Sequence, residues 1–552
     1  MPFSPLIRAV IITFSLFFIL ACGEKSDHEA SSSAAPKTQP QKYPPAYGDA
    51  IVTGSIGDAS NLLPVLASDS ASGDINGLIY DGLLKTDKNL NLIGNMAESW
   101  EISEDGLTIT FRLRKGVKWH DGHAFTSKDV MFTYQLMIDP KTPTAYGEDY
   151  KQVKKAETPD DYTFRVTYER PYAPALISWS FPIMPAHLLQ GRDITKSPLT
   201  RKPIGTGPYI FKEWQTGQKI ILEASPDYFE GRPYIFRYVY RIIPDTATMF
   251  LELKSGGLDR MDLTPIQYKR QTNTPKFEKD FKKYQYLSFG YTYLGFNLLD
   301  PKFQDKRVRQ AIGYAIDKNE IIDGVLLGLG QPANGPYKPG TWVYNEKVTP
   351  YPFDPEKAKM LLAAAGWADT DHDGLLDKDG QPFKFTITTN QGNKQREMTA
   401  LIIQQRLKDV GIGVKVRIIE WAAFLKEFID KKKFEAVILG WTIPINPDLF
   451  DVWHSSKTKP GELNFVSYQN REVDRLIDQG RFTFDREVMK KSYDRIQEIL
   501  KEDAPYIFLY VAKALPVVAA RFHGIKPAPA GIEYNFIKWY VPKHLQKYKL
   551  EP

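Results

Sequence analysis

His120 and His123 flank Asp121 and Gly122, a spacing at which two imidazoles and a carboxylate could share a divalent metal. The segment Trp119-His120-Asp121-Gly122-His123 follows a strand-like run and reads as a turn, and no second ligand cluster accompanies it, so no metal is expected there. Asp369, Asp371 and Asp373, with Gly374, copy positions one, three, five and six of an EF-hand calcium loop. Position twelve, where a bidentate Glu is needed, is Gly380. A polar turn leading into a short hairpin, turned again at residues 377–380, is expected instead. The other histidines, His187, His372 and His454 among them, are scattered. The chain has no Walker A loop, no Gly-x-Ser-x-Gly elbow and no His-Glu-x-x-His. Neither a cofactor nor an enzymatic activity is expected.

Cys22 is the only cysteine in 552 residues, which excludes an intramolecular disulfide framework and any Cys-rich metal cluster. Its position carries more information than its number. Arg8 is the sole charge in the first 21 residues, and residues 9–20 are apolar except for Thr13 and Ser15. A bilayer span takes about 20 apolar residues, so this stretch reads as a secretory signal. It runs into Ile19-Leu20-Ala21-Cys22-Gly23, which resembles the lipobox of bacterial lipoproteins. The resemblance implies a signal peptide at 1–21 and lipidation of Cys22. Residues 22–45 are rich in Ser and Pro and lack any large aliphatic side chain, as a flexible tether would. The mature protein is expected in the periplasm or at the cell surface, anchored through that lipid. Net charge is only +6, with no long basic run, so nucleic acid is not an expected partner.

The elements that would position a site are clearest between 383 and 441. Phe383, Phe385 and Ile387 alternate with polar residues as in a half-buried strand. Ala400, Ile403, Leu407 and Val410 recur at helical spacing, with Gly411 as a C-terminal stop. Val414, Val416 and Ile418 alternate again, residues 421–432 read as a helix, and residues 435–440 as a buried strand. Strand–helix–strand–helix–strand favours parallel pairing, with ligands in the crevice beyond the carboxyl ends of the strands. Those ends supply Asn390, Glu420, Trp421, Gly440, Trp441, Thr442, Asn446 and Asp448 as candidate ligand contacts. Tyr293 and Asn297, on the strand predicted over 291–297, are further candidates. Asp317 and Glu320 predict a capping box.

A constellation of short motifs spans about residues 48 to 545. Ile79-Tyr80-Asp81-Gly82-Leu83 comes first, followed by Phe111-Arg112-Leu113-Arg114-Lys115-Gly116-Val117-Lys118-Trp119-His120-Asp121-Gly122 and Phe125-Thr126-Ser127-Lys128-Asp129-Val130. Gly205-Thr206-Gly207-Pro208-Tyr209, Leu294-Gly295-Phe296-Asn297, Arg307-Val308-Arg309-Gln310-Ala311 and Gly440-Trp441 follow in order. Together they closely resemble the family 5 extracellular solute-binding proteins, the peptide- and nickel-binding group serving ABC importers. The resemblance implies an α/β, two-lobed periplasmic-binding-protein fold (type II, large peptide-binding class) with a hinge. Residues 46–288 and 505–552 would form the larger lobe, and 289–504 the second.

It further implies a ligand lying extended between Ser55, Ile56 and Gly57 and the Gly440–Thr442 segment, held by main-chain hydrogen bonds. Oligopeptide members carry an Asp two or three residues after the Trp, whereas this chain has Thr442-Ile443-Pro444 and its first acid is Asp448. A standard anchor for a free amine is therefore not expected. The function implied is that of a monomeric, lipid-anchored receptor that delivers oligopeptides to an ABC permease. A nickel, metal-chelate, haem or oligosaccharide ligand is the first alternative. An exported hydrolase and a non-transport sensory or interaction protein are the others.

Overall fold

A computed structural model describes residues 43–443 and 446–550. The signal segment, Cys22 and nearly all of the expected tether lie outside the described residues, as do Pro444 and Ile445.

The first lobe is organised by a seven-stranded sheet. Its strands run in the order Phe281–Lys283, Pro516–Ala519, Arg260–Asp262, β1 (Gly48–Ser55), Ile235–Ile242, Lys219–Ala224 and Tyr209–Gln215. β1 is parallel to both neighbours and buried from Gly48 to Val52 and at Thr53, as a central strand covered on both faces must be. Helix α1 (Ser70–Ile79) follows, N-capped by Asp69. An antiparallel four-stranded sheet, running Ala97–Ile102, Thr108–Leu113, Thr163–Tyr168 and Val153–Asp160, extends the lobe. Thr126 and Asp129 close a capping box on the helix Ser127–Ile138. Two of the motifs meet here. Gly207 N–H donates to the Ile79 carbonyl at 2.8 Å, and a Cβ on Gly205 would stand 1.9 Å from that oxygen. The motif residues therefore build the lobe's packing.

The second lobe carries the predicted strand–helix alternation. β2 (Gly290–Phe296), β3 (Lys384–Asn390), α2 (Lys394–Lys408), β4 (Gly413–Ile419) and β5 (Ala436–Thr442) form its centre, in the sheet order β2-β5-β3-β4. β3 is parallel to both β4 and β5, while β2 and β5 are antiparallel, so the sheet is mixed. Gly411, in left-handed conformation (φ 80°), carries the chain from α2 into β4. The capping box at Asp317 is half made. Asp317 accepts the Asn319 and Glu320 amides, but the Glu320 carboxylate turns to Arg406 in a bidentate pair of 2.7 Å bonds. The acidic 369–374 turn leads into the expected hairpin, Asp377–Lys378 against Gln381–Pro382.

Tyr506–Ala514 lies in the second sheet, between Tyr286–Leu287 and β2. The chain passes from the first sheet to the second at 284–285 and back again at Leu515. The two crossings run side by side, joined by Tyr284 N–H to the Pro516 carbonyl at 2.9 Å. Two short adjacent connections between separate sheets are what a hinge requires.

Candidate functional site

The parallel strands β3, β4 and β5 point the same way, so Asn390, Glu420 and Thr442 emerge at one end of the second sheet. There β3 and β5 separate. β3 pairs with β5 only at Ile387–Ala436 and Thr388–Val437, whereas β2 follows β5 as far as Thr442. Ile443 N–H donates to the Phe289 carbonyl. By the alternation of an antiparallel ladder, Trp441 turns its main-chain groups to Tyr291, and Gly440 and Thr442 turn theirs the other way. That edge has no strand beside it among the described residues, which leaves room for one more extended chain.

Arg396, in the first turn of α2, lies over this end of the sheet. Its Nη1 donates to Asn390 Oδ1 at 2.8 Å, and its Nη2 lies 2.9 Å from where a Cβ on Gly440 would be. Nε is buried without a hydrogen-bond partner, and no carboxylate lies within ion-pair distance among the described residues. Burial lowers its pKa, against the opposing effect of the Tyr510 and Tyr293 hydroxyls, yet an arginine stays charged.

The first lobe closely approaches this end of the second sheet. A Cβ on Gly57 would stand 3.0 Å from Trp421 Cδ1, and one on Gly392 would stand 2.4 Å from the Pro244 carbonyl and 3.1 Å from Ile56 Cβ. Ser55 is fixed by its own bond to the Gly57 carbonyl (2.9 Å) and by the Tyr240 hydroxyl (2.7 Å). Trp421 Nε1 is a buried donor with no partner among the described residues.

A second bridge between the lobes is ionic. Arg481 ends the helix α3 (Arg471–Arg481), with a side chain only 1% exposed. It lies 3.0 Å from Asp448 in its own lobe and 2.5 Å from Asp149 in the other. It also donates to the Tyr172 hydroxyl of the first lobe. Lys457 lies 3.7 Å from both Glu148 of the first lobe and Asp451 of the second. Burial, opposed by Arg481, pushes Asp448 up to about 6; burial with Asp149 nearby pushes Asp451 up to about 7.

Two lobes joined by paired crossings, meeting over an open strand edge, form the architecture of a binding protein. The chain matches the family model of the bacterial extracellular solute-binding proteins, family 5, over residues 91–462. It belongs to that family. It is 37% identical over 548 residues to the oligopeptide-binding protein AppA of Bacillus subtilis, covering 97% of this chain and 98% of the relative. It is 31% identical to heme-binding protein A of Haemophilus influenzae, covering 82% and 85% respectively. The structure of Bacillus subtilis AppA in complex with a nonapeptide superposes with a TM-score of 0.86 at 36% identity, covering 91% of this chain and all of that one. NikZ from Campylobacter jejuni in complex with Ni(L-His) superposes with a TM-score of 0.81 at 28% identity, covering 89% and 99%.

For a family 5 protein, the candidate contacts read from sequence fall into distinct groups. Ser55, Ile56, Gly57, Asn390, Trp421, Gly440, Trp441 and Thr442 gather where the lobes meet or at the open edge. Trp441 is half-buried, its Nε1 3.3 Å from the Tyr506 hydroxyl. Glu420 is committed locally, accepting the Ala422 and Ala423 amides at 3.0 Å to cap a helix. Asp448 is committed to Arg481 and to the Phe450 amide. Asn446 is half-buried between β5 and Asp448. Tyr293 is fully buried and stacked on Tyr506 at 3.9 Å. Asn297 follows the far end of β2, where its amide donates to the Lys432 and Phe434 carbonyls; these two belong to packing.

Sequence reading missed Arg396, Arg481 and Asp74. Asp74 lies on the open side of α1 and makes no hydrogen bond or ion pair among the described residues. Surrounding protein, then the nearby Glu533 carboxylate, push it up to about 7 against the opposing Arg260. Tyr240, whose hydroxyl donates to Ser55, also feels the Asp74 charge. Among the described residues no helix is long and apolar enough to cross a membrane.

Proposed function

We propose that this family 5 protein is the substrate-binding lipoprotein of an ABC importer, capturing oligopeptides and delivering them to its permease. The observation that carries the reading is the open edge of β5. Gly440 and Thr442 offer main-chain donors and acceptors there, and such groups bind a peptide of any sequence by β-strand addition. Trp421 and Trp441 flank that edge as apolar walls, and the nonapeptide held by Bacillus subtilis AppA supports the ligand class. Capture breaks no bond, so the protein acts without catalysis. Asp74 receives a ligand amino group in place of the committed Asp448, and Arg396 serves a ligand carboxylate or carbonyl. Cys22 carries the lipid, holding a monomeric receptor at the outer side of a membrane.

Native mass spectrometry of the gently purified protein tests the ligand class. A heterogeneous set of short peptides is expected. One defined non-peptide mass, such as a metal chelate, a haem or an oligosaccharide, would replace this reading. The anchor is tested apart: Cys22→Ala should move the protein from the membrane to the soluble fraction, and unchanged membrane retention would refute it.

A further inference from the structure

The geometry points to a transition-metal site in the first lobe, and we propose that Asp121, His123 and His187 bind one divalent ion of the zinc class. The sequence places only two of the three donors together. His187 arrives from 64 residues downstream, on the short helix Ala186–Leu189. Its Nε2 lies 2.7 Å from Asp121 Oδ2, while His123 Nδ1 lies 3.3 Å from Asp121 Oδ1. The two imidazoles stack with centroids 4.1 Å apart and planes 23° apart, each with a nitrogen near one oxygen of the same carboxylate. One donor atom from each of the three residues lies within 4.8 Å of the other two.

These distances suit a metal. Tetrahedral zinc bonds of about 2.0–2.2 Å hold their donors roughly 3.3–3.5 Å apart. The His123–Asp121 separation is already there, and His187 needs to withdraw by less than about 1 Å as the ion replaces the hydrogen bond it shares with Asp121. Support comes from around the cluster. The Trp119 ring stands 5.9 Å from that of His187, and the His123 amide donates to Asp121 Oδ1 at 3.3 Å. His120, the third imidazole of the turn, is otherwise engaged: its Nε2 lies 2.9 Å from the Gly207 carbonyl, and its Nδ1 accepts the Gly205 amide.

The donor set decides the class of ion. Calcium and magnesium take all-oxygen shells, whereas two imidazole nitrogens and one carboxylate suit zinc, nickel, cobalt or copper. His123 is 62% exposed, which leaves the fourth position to water or an outside ligand. The ion would staple the 119–123 turn to the 186–189 helix. The site uses none of the residues at the meeting of the lobes, so it is independent of the peptide reading.

Isothermal titration of the purified, tag-free, chelator-treated protein with Zn2+ tests the assignment. One equivalent should bind with micromolar or tighter affinity, and Co2+ should give the visible absorption of a four-coordinate ion. His123→Ala removes a side chain that is 62% exposed, and should weaken binding by at least about tenfold. Asp121→Asn should do the same, with the far-ultraviolet circular dichroism of both variants unchanged. No saturable binding by the wild type, or equal affinity in His123→Ala, would overturn the proposal.

Discussion

Gly57 of the first lobe lies against the indole of Trp421 in the second, with a Cβ at position 57 only 3.0 Å from Trp421 Cδ1. Gly392 returns the contact from the second lobe against Pro244 and Ile56. Each lobe thus contributes a glycine where the other approaches, and the approach depends on both lacking side chains. Overpacking such a contact costs about 1–3 kcal/mol, and about 1.4 kcal/mol is a tenfold change in affinity. Gly57→Val should therefore weaken peptide binding by roughly 5- to 150-fold. The penalty falls on closure, so the melting temperature should hold and small-angle scattering should show a more open mean shape. Wild-type affinity in the variant would mean that Gly57 does not meet Trp421 in the bound form.

Arg481 is the second joint between the lobes, and its loss has a pH signature. Arg481→Met leaves Asp149, Asp448 and Asp451 without their shared cation, and breaking a buried pair in this way costs about 3–5 kcal/mol. Asp448 and Asp451 are already raised, to about 6 and about 7, with Arg481 opposing the rise. Without it they rise further. A carboxylate whose folded pKa exceeds its unfolded value costs stability above that folded pKa, and the cost disappears as pH falls towards the unfolded value near 4. The deficit in melting temperature should thus be largest at pH 7.5 and should shrink on acidification to pH 5. A deficit independent of pH would show that Arg481 acts through packing alone.

How much of this was legible in the sequence depended on the kind of signal. The period-two runs at 384–390 and 413–419 and the buried run at 436–442 gave strands, and their parallel order brought Asn390, Glu420 and Thr442 to one end. Local pattern does not record which sheet a strand joins. The apolar run at 506–511 is strand-like by itself, yet the place of the strand Tyr506–Ala514 beside β2 is settled by pairing with residues more than 200 positions away. Nor does it record which face or end of a strand meets the crevice: Tyr293 adjoins the Gly440 partner Thr292 but is fully buried, and Asn297 lies past the opposite end of β2. Arg396, Arg481 and Asp74 each look like an ordinary helix charge. Only tertiary structure shows that one borders a strand edge, one crosses between lobes and one faces space without a partner. His187 is the same case, since its two companions lie on a turn 64 residues earlier.

Asp74 makes the last prediction, which rests on the peptide reading. The free protein holds this carboxyl up to about 7 through surrounding protein and the Glu533 charge. An amine-bearing ligand placed beside it stabilises the ionised form, so binding at acid pH must first release a proton. Affinity should then fall as pH drops through about 7, approaching tenfold per pH unit well below that point, and be greatest between about 7 and 8, where the amine still carries charge. The slope needs no change in the ligand, because a peptide amino group with a pKa near 8 gains charge, if anything, over the same interval. In Asp74→Asn the neutral amide cannot titrate, and the affinity at pH 8 should drop while the acid-side slope disappears. An N-acetylated peptide should behave the same in both proteins. Calorimetric titrations at pH 5, 6, 7 and 8 check this directly, and an unchanged slope in Asp74→Asn would move the amine contact to another residue.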